Sequence, residues 1–223
     1  MTKTEPQSCK EVILGPLVLS DQAPLLSSKT RWVYQHPGDA SLLVKVHIDR
    51  RPTESQGGFQ AAFARAKDRF LYSTGMVREL RHFVASRYRN QGLASQRICP
   101  IHGVVETDLG LGLLVTAARA NDGQLAPTLQ SLMDQQQLTT DQVMDLRALL
   151  ESMVASDLTF ADMNYENIVL ENAGGENERF VIIDGLGDRT WIPTQRWFRA
   201  VRRRKKRVFR ARVERRLSSL GHD

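Results

Sequence analysis

The stretch Phe160-Ala-Asp-Met-Asn-Tyr-Glu-Asn-Ile-Val-Leu170, followed by Phe180-Val-Ile-Ile-Asp-Gly185, decides the expected fold. Two short apolar runs flank a segment rich in turn-forming residues, and this pattern predicts a β-hairpin. In an antiparallel hairpin, the residue that enters the first strand lies opposite the residue that leaves the second. Asn167 and Asp184 should therefore converge at one end of the hairpin, with Asp162 on the loop just before it.

Two carboxylates and an amide oxygen at one point form a donor set that suits Mg²⁺, a cation that takes oxygen ligands and usually shares them with phosphates. In protein kinases, a loop of the form H-R-D-x-x-x-x-N supplies a catalytic base and a metal ligand, and D-F-G supplies another metal ligand. Asp162 and Asn167 keep that spacing, and Asp184-Gly185 stands in the D-F-G place without the Phe. The pattern predicts Asp162 as the catalytic residue and Asn167 and Asp184 as metal ligands. The alternative is an ordinary hairpin with polar residues at its ends.

The region upstream contains a strand lysine and a helix glutamate. Residues 31–48 predict two strands around a Pro-Gly-Asp turn, with Lys45 inside the second, apolar strand. An isolated buried charge is costly, and kinases pair such a lysine with nucleotide phosphates and a helix carboxylate. Glu79, among apolar residues at helical spacing, is the candidate carboxylate. The alternatives are a Lys45 that reaches water from an edge strand and a Glu79 that pairs with His82 on the surface or acts as a capping charge.

With these residues, the chain resembles the PhoP regulatory network protein family (the YrbL family), small bacterial proteins with a protein-kinase-like core. The resemblance implies an α+β, protein-kinase-like bilobal fold, with a small β-rich N-terminal lobe and a reduced helical C-terminal lobe. It also implies an ATP and Mg²⁺ site and a PhoP-type regulatory or envelope-stress context. The resembling segments are Arg31-Trp-Val-Tyr-Gln-His-Pro37, Leu43-Val-Lys-Val46, Gly112-Leu-Leu-Val-Thr116, Asp162-Met-Asn-Tyr-Glu-Asn-Ile-Val169 and Ile182-Ile-Asp-Gly-Leu-Gly187.

The chain departs from the kinase pattern where the phosphates and the acceptor would bind. No Gly-rich loop is present, and the backbone amides of Ser27 and Ser28, with Lys29, are expected to contact phosphate instead. Too little chain follows Asp184 for a large peptide-docking lobe. We therefore expect an ATP-dependent phosphotransferase that acts on a small-molecule, sugar or lipid-type hydroxyl. The alternative is a catalytically silent, pseudokinase-type regulatory protein that binds a partner or an anionic surface.

The chain divides into three predicted parts. Residues 1–118 form the N-terminal lobe, residues 119–195 form the C-terminal lobe with the catalytic hairpin, and residues 196–223 form a basic helix or tail. By analogy with kinases, the adenine base is expected near Thr116–Arg119. Further strands are predicted over Ile101–Thr107 and Leu109–Ala117, and helices over Phe59–Leu71, Ala126–Gln136 and Thr140–Ala155, the last capped by Thr139 or Thr140.

The tail is strongly basic. Arg196–Arg216 contains 12 Lys or Arg residues and one acid, for a net charge of +11 in a chain of +6, so the rest of the chain carries −5. Three alternatives follow: a helix packed on the C-terminal lobe with solvated charges, attraction to an anionic membrane surface, or a nucleic-acid tail. Aromatic residues within the basic run favour the first two.

Composition fits a globular protein. The 223 residues are 41% hydrophobic and 25% charged, and the two cysteines and five histidines show no metal-ligand spacing. The first residues lack the apolar segment of a signal peptide. We therefore expect a cytoplasmic protein, with the basic tail able to hold it at the inner membrane.

Overall fold

Alternating apolar residues build a five-stranded antiparallel sheet in the first half of the chain. The computed structural model describes residues 16–28, 31–47, 75–88, 92–187 and 199–222, and the structural statements below concern these residues. The strands occur in the spatial order β1-β2-β3-β5-β4, so that β3 lies at the centre of the sheet. Their bounds are β1 Leu26–Ser27, β2 Arg31–Gln35, β3 Leu42–His47, β4 Ile101–Thr107 and β5 Gly110–Thr116.

The register of β2 against β3 decides which side chains share a face. Val33 lies opposite Lys45, and Arg31 lies opposite His47. Because side chains alternate along a strand, Arg31, Val33 and Lys45 are on one face of the sheet. The other face carries a separate apolar cluster, whose buried members are Leu19, Tyr34, Val44 and Val46.

Helices and a second, two-stranded sheet form the rest of the described chain. Residues 75–88 form helix α1. The remaining elements are α2 Leu93–Gln96, α3 Leu129–Asp134, α4 Thr140–Ala155, a 3-10 turn at Tyr165–Asn167, the hairpin β6 Ile168–Glu171 and β7 Arg179–Ile182, and α5 Arg199–Ser219.

Helix α4 forms the centre of the larger hydrophobic core. Its N-terminus is closed by a capping box, in which the side chain of Thr139 accepts from the backbone of Gln142 and the Gln142 side chain accepts from the backbone of Thr139. The apolar stripe predicted from the sequence is buried, and it packs against α2, β7 and α5. The buried stripe consists of Val143, Leu146, Leu149, Leu150 and Met153.

The α+β class is confirmed, as are the predicted hairpin, the strand that carries Lys45 and the helix that carries Glu79. The helix predicted over Ala126–Gln136 is too long, since α3 begins only after its N-cap, Thr128. Pro127 disfavours a helical conformation at Ala126, and the carbonyl of Pro127 accepts a hydrogen bond from Leu170 instead. The helix predicted over Phe59–Leu71 and the tail residues 196–198 lie outside the described residues.

Helix α5 is packed on the helical part of the molecule, as the first of the three alternatives predicts. Phe209, Val213 and Leu217 are buried. The expectation that the charges are all solvated is wrong, because Arg202 and Lys206 continue the buried stripe. Both find polar partners: Arg202 Nη2 lies 2.6 Å from Asp157 Oδ1, and Lys206 Nζ lies 2.9 Å from the carbonyl oxygen of Ser156. No helix in the described ranges combines the length and the apolar character that crossing a membrane requires.

Replacing Phe209 by Ala should lower the free energy of unfolding by about 3–5 kcal/mol, because the substitution leaves a cavity under α5. The matched control is Val208→Ala, since Val208 is the neighbouring residue and is exposed; its effect should stay within about 0.5 kcal/mol. Urea denaturation measures both values. Equal effects of the two substitutions would contradict the packed position of α5.

Candidate functional site

A cleft lies between the large sheet and the β6–β7 hairpin. Most of its wall is apolar, and Lys45, Glu79 and Asp184 supply charged groups to its lining. Apolar clefts with a few polar groups are the usual form of small-molecule sites. The apolar lining includes Val33, Leu43, Ile101, Val115, Val169 and Ile182.

The cleft contains a buried ion pair. Lys45 Nζ lies 3.2 Å from Glu79 Oε1 and donates to the carbonyl oxygen of Ile183 at 2.8 Å. Burial disfavours the charged form of Lys45, but the carboxylates of Glu79 and Asp184 outweigh it and hold the pKa of Lys45 above its ordinary value. Because β3 is a central strand and Glu79 is buried, the edge-strand alternative for Lys45 and the surface alternative for Glu79 are both excluded.

Arg31 is a member of this site that the sequence analysis missed. Its Nη1 lies 2.8 Å from Glu79 Oε2 and 3.1 Å from Asp184 Oδ2, so that one guanidinium joins the two carboxylates. Burial lowers the pKa of Arg31, but the charges of Asp184 and Glu79 raise it by more. The period-2 pattern of β2, combined with the pairing of Val33 and Lys45, was the signal that could have found it.

Hydrogen bonds bring the loop of Asp162 and Asn167 against Asp184-Gly185. The amide of Ile183 donates to the carbonyl oxygen of Asn167 at 3.0 Å, next to the ladder pair of Ile168 and Ile182. The side-chain amide of Asn167 donates to the carbonyl oxygen of Asp162 at 3.0 Å. The convergence expected from the hairpin is therefore present, whereas the catalytic and metal-binding roles stay predictions.

Gly185 is required where the two segments meet. Its backbone φ of +92° is one that residues other than glycine rarely adopt, and a Cβ there would lie 2.3 Å from the carbonyl oxygen of Asp162. The amide of Ala161 donates to the Gly185 carbonyl at 2.7 Å. This close approach explains why a glycine follows Asp184.

The turn between β1 and β2 is closed by its own residues. The amide of Ser28 donates to the carbonyl oxygen of Arg31 at 2.9 Å, and the Arg31 amide donates to Ser28 Oγ at 3.1 Å. Ser27 pairs with Trp32 in the sheet. Phosphate binding by Ser27 and Ser28 stays a prediction, and Lys29 lies outside the described residues.

The segment expected to meet the adenine base lies in the wall of the cleft. Thr116 and Ala118 both line it. The carbonyl of Thr116 accepts from Cys99 Sγ at 3.2 Å, and the carbonyl of Ala118 accepts from the amide of Ala126 at 3.0 Å. Burial raises the pKa of the Cys99 thiol to about 11, so this side chain is an uncharged part of the wall near neutral pH. The position of the base stays a prediction.

Helix α5 supports the loop that carries Asp162. Lys205 Nζ donates to the carbonyl oxygens of Phe160 and Ala161 at 3.0 and 2.9 Å. The rings of Tyr165 and Phe209 pack with centroids 5.9 Å apart. The basic helix is thus a structural neighbour of the candidate site.

Comparisons with known proteins place the chain in a family. The family described as PhoP regulatory network protein YrbL matches residues 17–217, and the chain belongs to this family. It is also similar to proteins named "Uncharacterized protein YrbL" from Escherichia coli (strain K12) and Shigella flexneri. Each is 26% identical over 183 residues, which cover 80% of this chain and 77% of the relative. The family predicted from the sequence is confirmed.

Replacing Glu79 by Ala should cost about 3–5 kcal/mol of unfolding free energy, because it leaves Lys45 and Arg31 without their shared carboxylate in a largely buried site. Lys45→Met is the matched control. It should cost less, about 1 kcal/mol, because Glu79 keeps Arg31 and the Met side chain fills the space of the lysine stem. Chemical denaturation of both variants measures the difference. Equal losses would contradict a network centred on Glu79.

Lys206 should make stability depend on pH. Burial, with a further contribution from Arg202, lowers the pKa of Lys206 from 10.5 to about 7. Between these two values the unfolded chain binds a proton that the folded chain lacks, so the free energy of unfolding should rise with pH, by up to about 1.4 kcal/mol per pH unit.

Lys206→Met should remove this rise, whereas Arg204→Met, on the exposed face of α5, should leave it. Denaturation titrations between pH 7 and pH 10 provide the test. A rise of the same size in Lys206→Met would assign the pH dependence to other groups.

Proposed function

We propose that the protein is an ATP- and Mg²⁺-dependent phosphotransferase of protein-kinase-like, bilobal architecture that acts on a small-molecule, sugar or lipid-type hydroxyl. The observation that carries the proposal is the buried pair of Lys45 and Glu79, which lines the same cleft as Asp184. The order of the elements supports it: a lysine on the central strand, a glutamate on the next described helix, and then the Asp162–Asn167 loop and the hairpin. Each matches a part of the kinase site.

The roles of the residues follow from their positions. Lys45, held by Glu79, would bind nucleotide phosphates, and the apolar wall of the cleft would take the base. Asp162 would orient the acceptor hydroxyl and accept its proton. Because the side-chain amide of Asn167 is fixed to the backbone of Asp162, the loop has little freedom to move away from the hairpin. Catalysis of this kind depends mainly on positioning and on neutralisation of charge.

The donor set fits a magnesium ion that arrives with a nucleotide. No group of three or more His, Cys, Asp or Glu side chains in the described chain could hold a metal ion, and Mg²⁺ in nucleotide sites commonly uses one or two carboxylates together with phosphate oxygens. Asp184 would supply a carboxylate oxygen, and Asn167 would supply Oδ1, since its Nδ2 donates to Asp162. When bound, the ion neutralises charge on the phosphate oxygens.

The exposed basic face of α5 supports an anionic partner. Arg204 and Arg207 are exposed and Arg203 is half-buried. None of the three forms an ion pair with a carboxylate in the described ranges. Such a face would suit a phosphorylated acceptor or an anionic membrane surface, and it supports the expectation of a cytoplasmic protein held at the inner membrane. Nucleic acid is the less favoured partner, because apolar residues anchor the helix to the protein.

A regulatory role without catalysis is the second candidate function. The observation in its favour is the contact between Arg31 and the carboxylate of Asp184, which engages an oxygen that an active site would offer to the metal. The missing Gly-rich loop and the engaged amide of Ser28 point the same way. In this role the basic tail would bind a partner protein or an anionic surface.

Calorimetric titration with ATP and Mg²⁺ tests the proposal. Binding by the unaltered protein should require Mg²⁺, and Asp184→Ala should weaken it by at least about tenfold, because the variant loses a charged contact to the metal. Asp134→Ala is the control, since Asp134 is an exposed acid whose ion pair is with Arg216. Slow hydrolysis of bound ATP should follow.

Two results would contradict the phosphotransferase proposal. Equal binding by the unaltered protein and Asp184→Ala would remove the role of Asp184, and no binding by either would remove the nucleotide site. Mg²⁺-dependent binding without any turnover would favour the regulatory function.

A further inference from the structure

We propose that Arg31 is the principal phosphate-binding side chain of the cleft and that the free edge of its guanidinium takes the nucleotide phosphates in place of a Gly-rich loop. The inference rests on the proposed function, because it names the group that recognises the phosphate chain of the same ligand.

The position of Arg31 comes from the strand register. Arg31 begins β2 directly after the turn that stands in the place of a phosphate loop, and it shares a sheet face with Lys45. The side chain is 17% exposed, so it reaches along the sheet to the charged residues of the cleft and is not extended into solvent. It therefore lies where a phosphate chain held by Lys45 would pass.

Among the described residues, one nitrogen of the Arg31 guanidinium has hydrogen-bond partners. Nη1 donates to Glu79 and to Asp184, whereas Nε and Nη2 form no hydrogen bond with any residue in the described ranges. Neither nitrogen belongs to the fully buried polar atoms that lack a partner, so both keep some access to solvent. A guanidinium carries five donors in a planar fork, and its Nε and Nη2 edge matches two oxygens of one phosphate. Glu79 and Asp184 thus hold the guanidinium in place through Nη1 alone.

The other groups around the turn are engaged. The amide of Ser28 donates to the Arg31 carbonyl, and the Ser28 hydroxyl accepts from the Arg31 amide. Lys45 donates to Glu79 and to the carbonyl of Ile183. Lys45 thus keeps one of its three donors for a phosphate, whereas the Nε and Nη2 edge of Arg31, which has no partner among the described residues, can add two contacts without breaking an existing one.

The charge of a bound triphosphate favours a second cationic side chain beside Lys45. Lys45 and Arg31 together balance the carboxylates of Glu79 and Asp184, so the net charge of these four side chains is close to zero. A triphosphate adds several negative charges, and Lys45 remains next to Glu79. An arginine whose carboxylate contacts use only Nη1 can face the phosphates while it still positions both acids.

The test compares ATP with adenosine by calorimetry in Mg²⁺ buffer. The unaltered protein should bind ATP more tightly than adenosine, and Arg31→Gln should reduce the affinity for ATP by at least about tenfold, the effect of losing a charge-assisted hydrogen-bonded contact. Its affinity for adenosine should stay within about twofold. Arg31→Lys, which keeps the charge without the fork, should fall between them. Arg81→Gln, the same change at an exposed position of α1, should behave as the unaltered protein.

The ratio of ATP to adenosine affinity separates phosphate binding from support of the fold. If Arg31 only braced Glu79 and Asp184, Arg31→Gln would lower the melting temperature and leave the ratio unchanged, and that result overturns the inference. If Arg31→Gln does not fold, the ratio in Arg31→Lys decides in the same way.

Failure of the proposed function looks different from failure of the inference. Suppose that the unaltered protein binds ATP with Mg²⁺, that Asp184→Ala weakens this binding, and that the Arg31 variants keep the ratio of ATP to adenosine affinity. Then only the inference about Arg31 is overturned. If neither the unaltered protein nor Asp184→Ala binds ATP, both are overturned.

Discussion

Four charged side chains that cost free energy to bury hold the cleft together. Lys45 and Glu79 are both largely inaccessible to water, and burial of either ion alone is strongly unfavourable. Both charges have partners, since Lys45 lies 3.2 Å from Glu79 and Arg31 joins Glu79 to Asp184. The sheet, helix α1 and the segment after β7 must therefore keep their relative positions, since a shift of any of them separates the charges. Apolar packing provides most of the stability, and the ion network links β2, β3, α1 and the residue that follows β7.

Helix α5 also pairs cationic side chains with partners in the protein, here the backbone carbonyls before Asp162. Its Phe209, Val213 and Leu217 anchor it in the apolar core, and two lysines then reach backbone groups of the segment before Asp162. Lys205 meets the carbonyls of Phe160 and Ala161, and Lys206 meets that of Ser156. A segment whose sequence predicts a solvated basic tail is thus partly a structural support for the loop. Its exposed arginines, such as Arg204 and Arg207, are the residues that could meet an external partner.

The hairpin, the strand of Lys45 and the helix of Glu79 could be predicted from the sequence, because hydrophobic periodicity and turn residues are local signals. The proximity of Asn167 and Asp184 could be predicted on the same basis, since antiparallel pairing fixes which residues of the two strands lie opposite each other. Arg31 could be found only with the register of β2 against β3 added to the period-2 pattern. The buried Arg202 and Lys206 could not be found in this way, because their burial depends on distant carboxylates and carbonyls. From sequence alone, a charged residue is predicted to face solvent unless a distant residue that pairs with it in the fold is known. The start of α3 was missed for a local reason, the effect of Pro127 on the residue before it.

The support of the Asp162 loop by α5 has a consequence for biosynthesis. In chain order, α5 follows every strand of both sheets, so the loop is translated well before the lysines that hold its carbonyls. During elongation, the nascent protein has the cleft residues but lacks the brace behind them. Helices and hairpins form within microseconds, whereas residues emerge from the ribosome at only about 5–20 per second. The support of the Asp162 loop is therefore completed last, and a ribosome that stalls before α5 leaves a chain in which this loop lacks its contacts to Lys205.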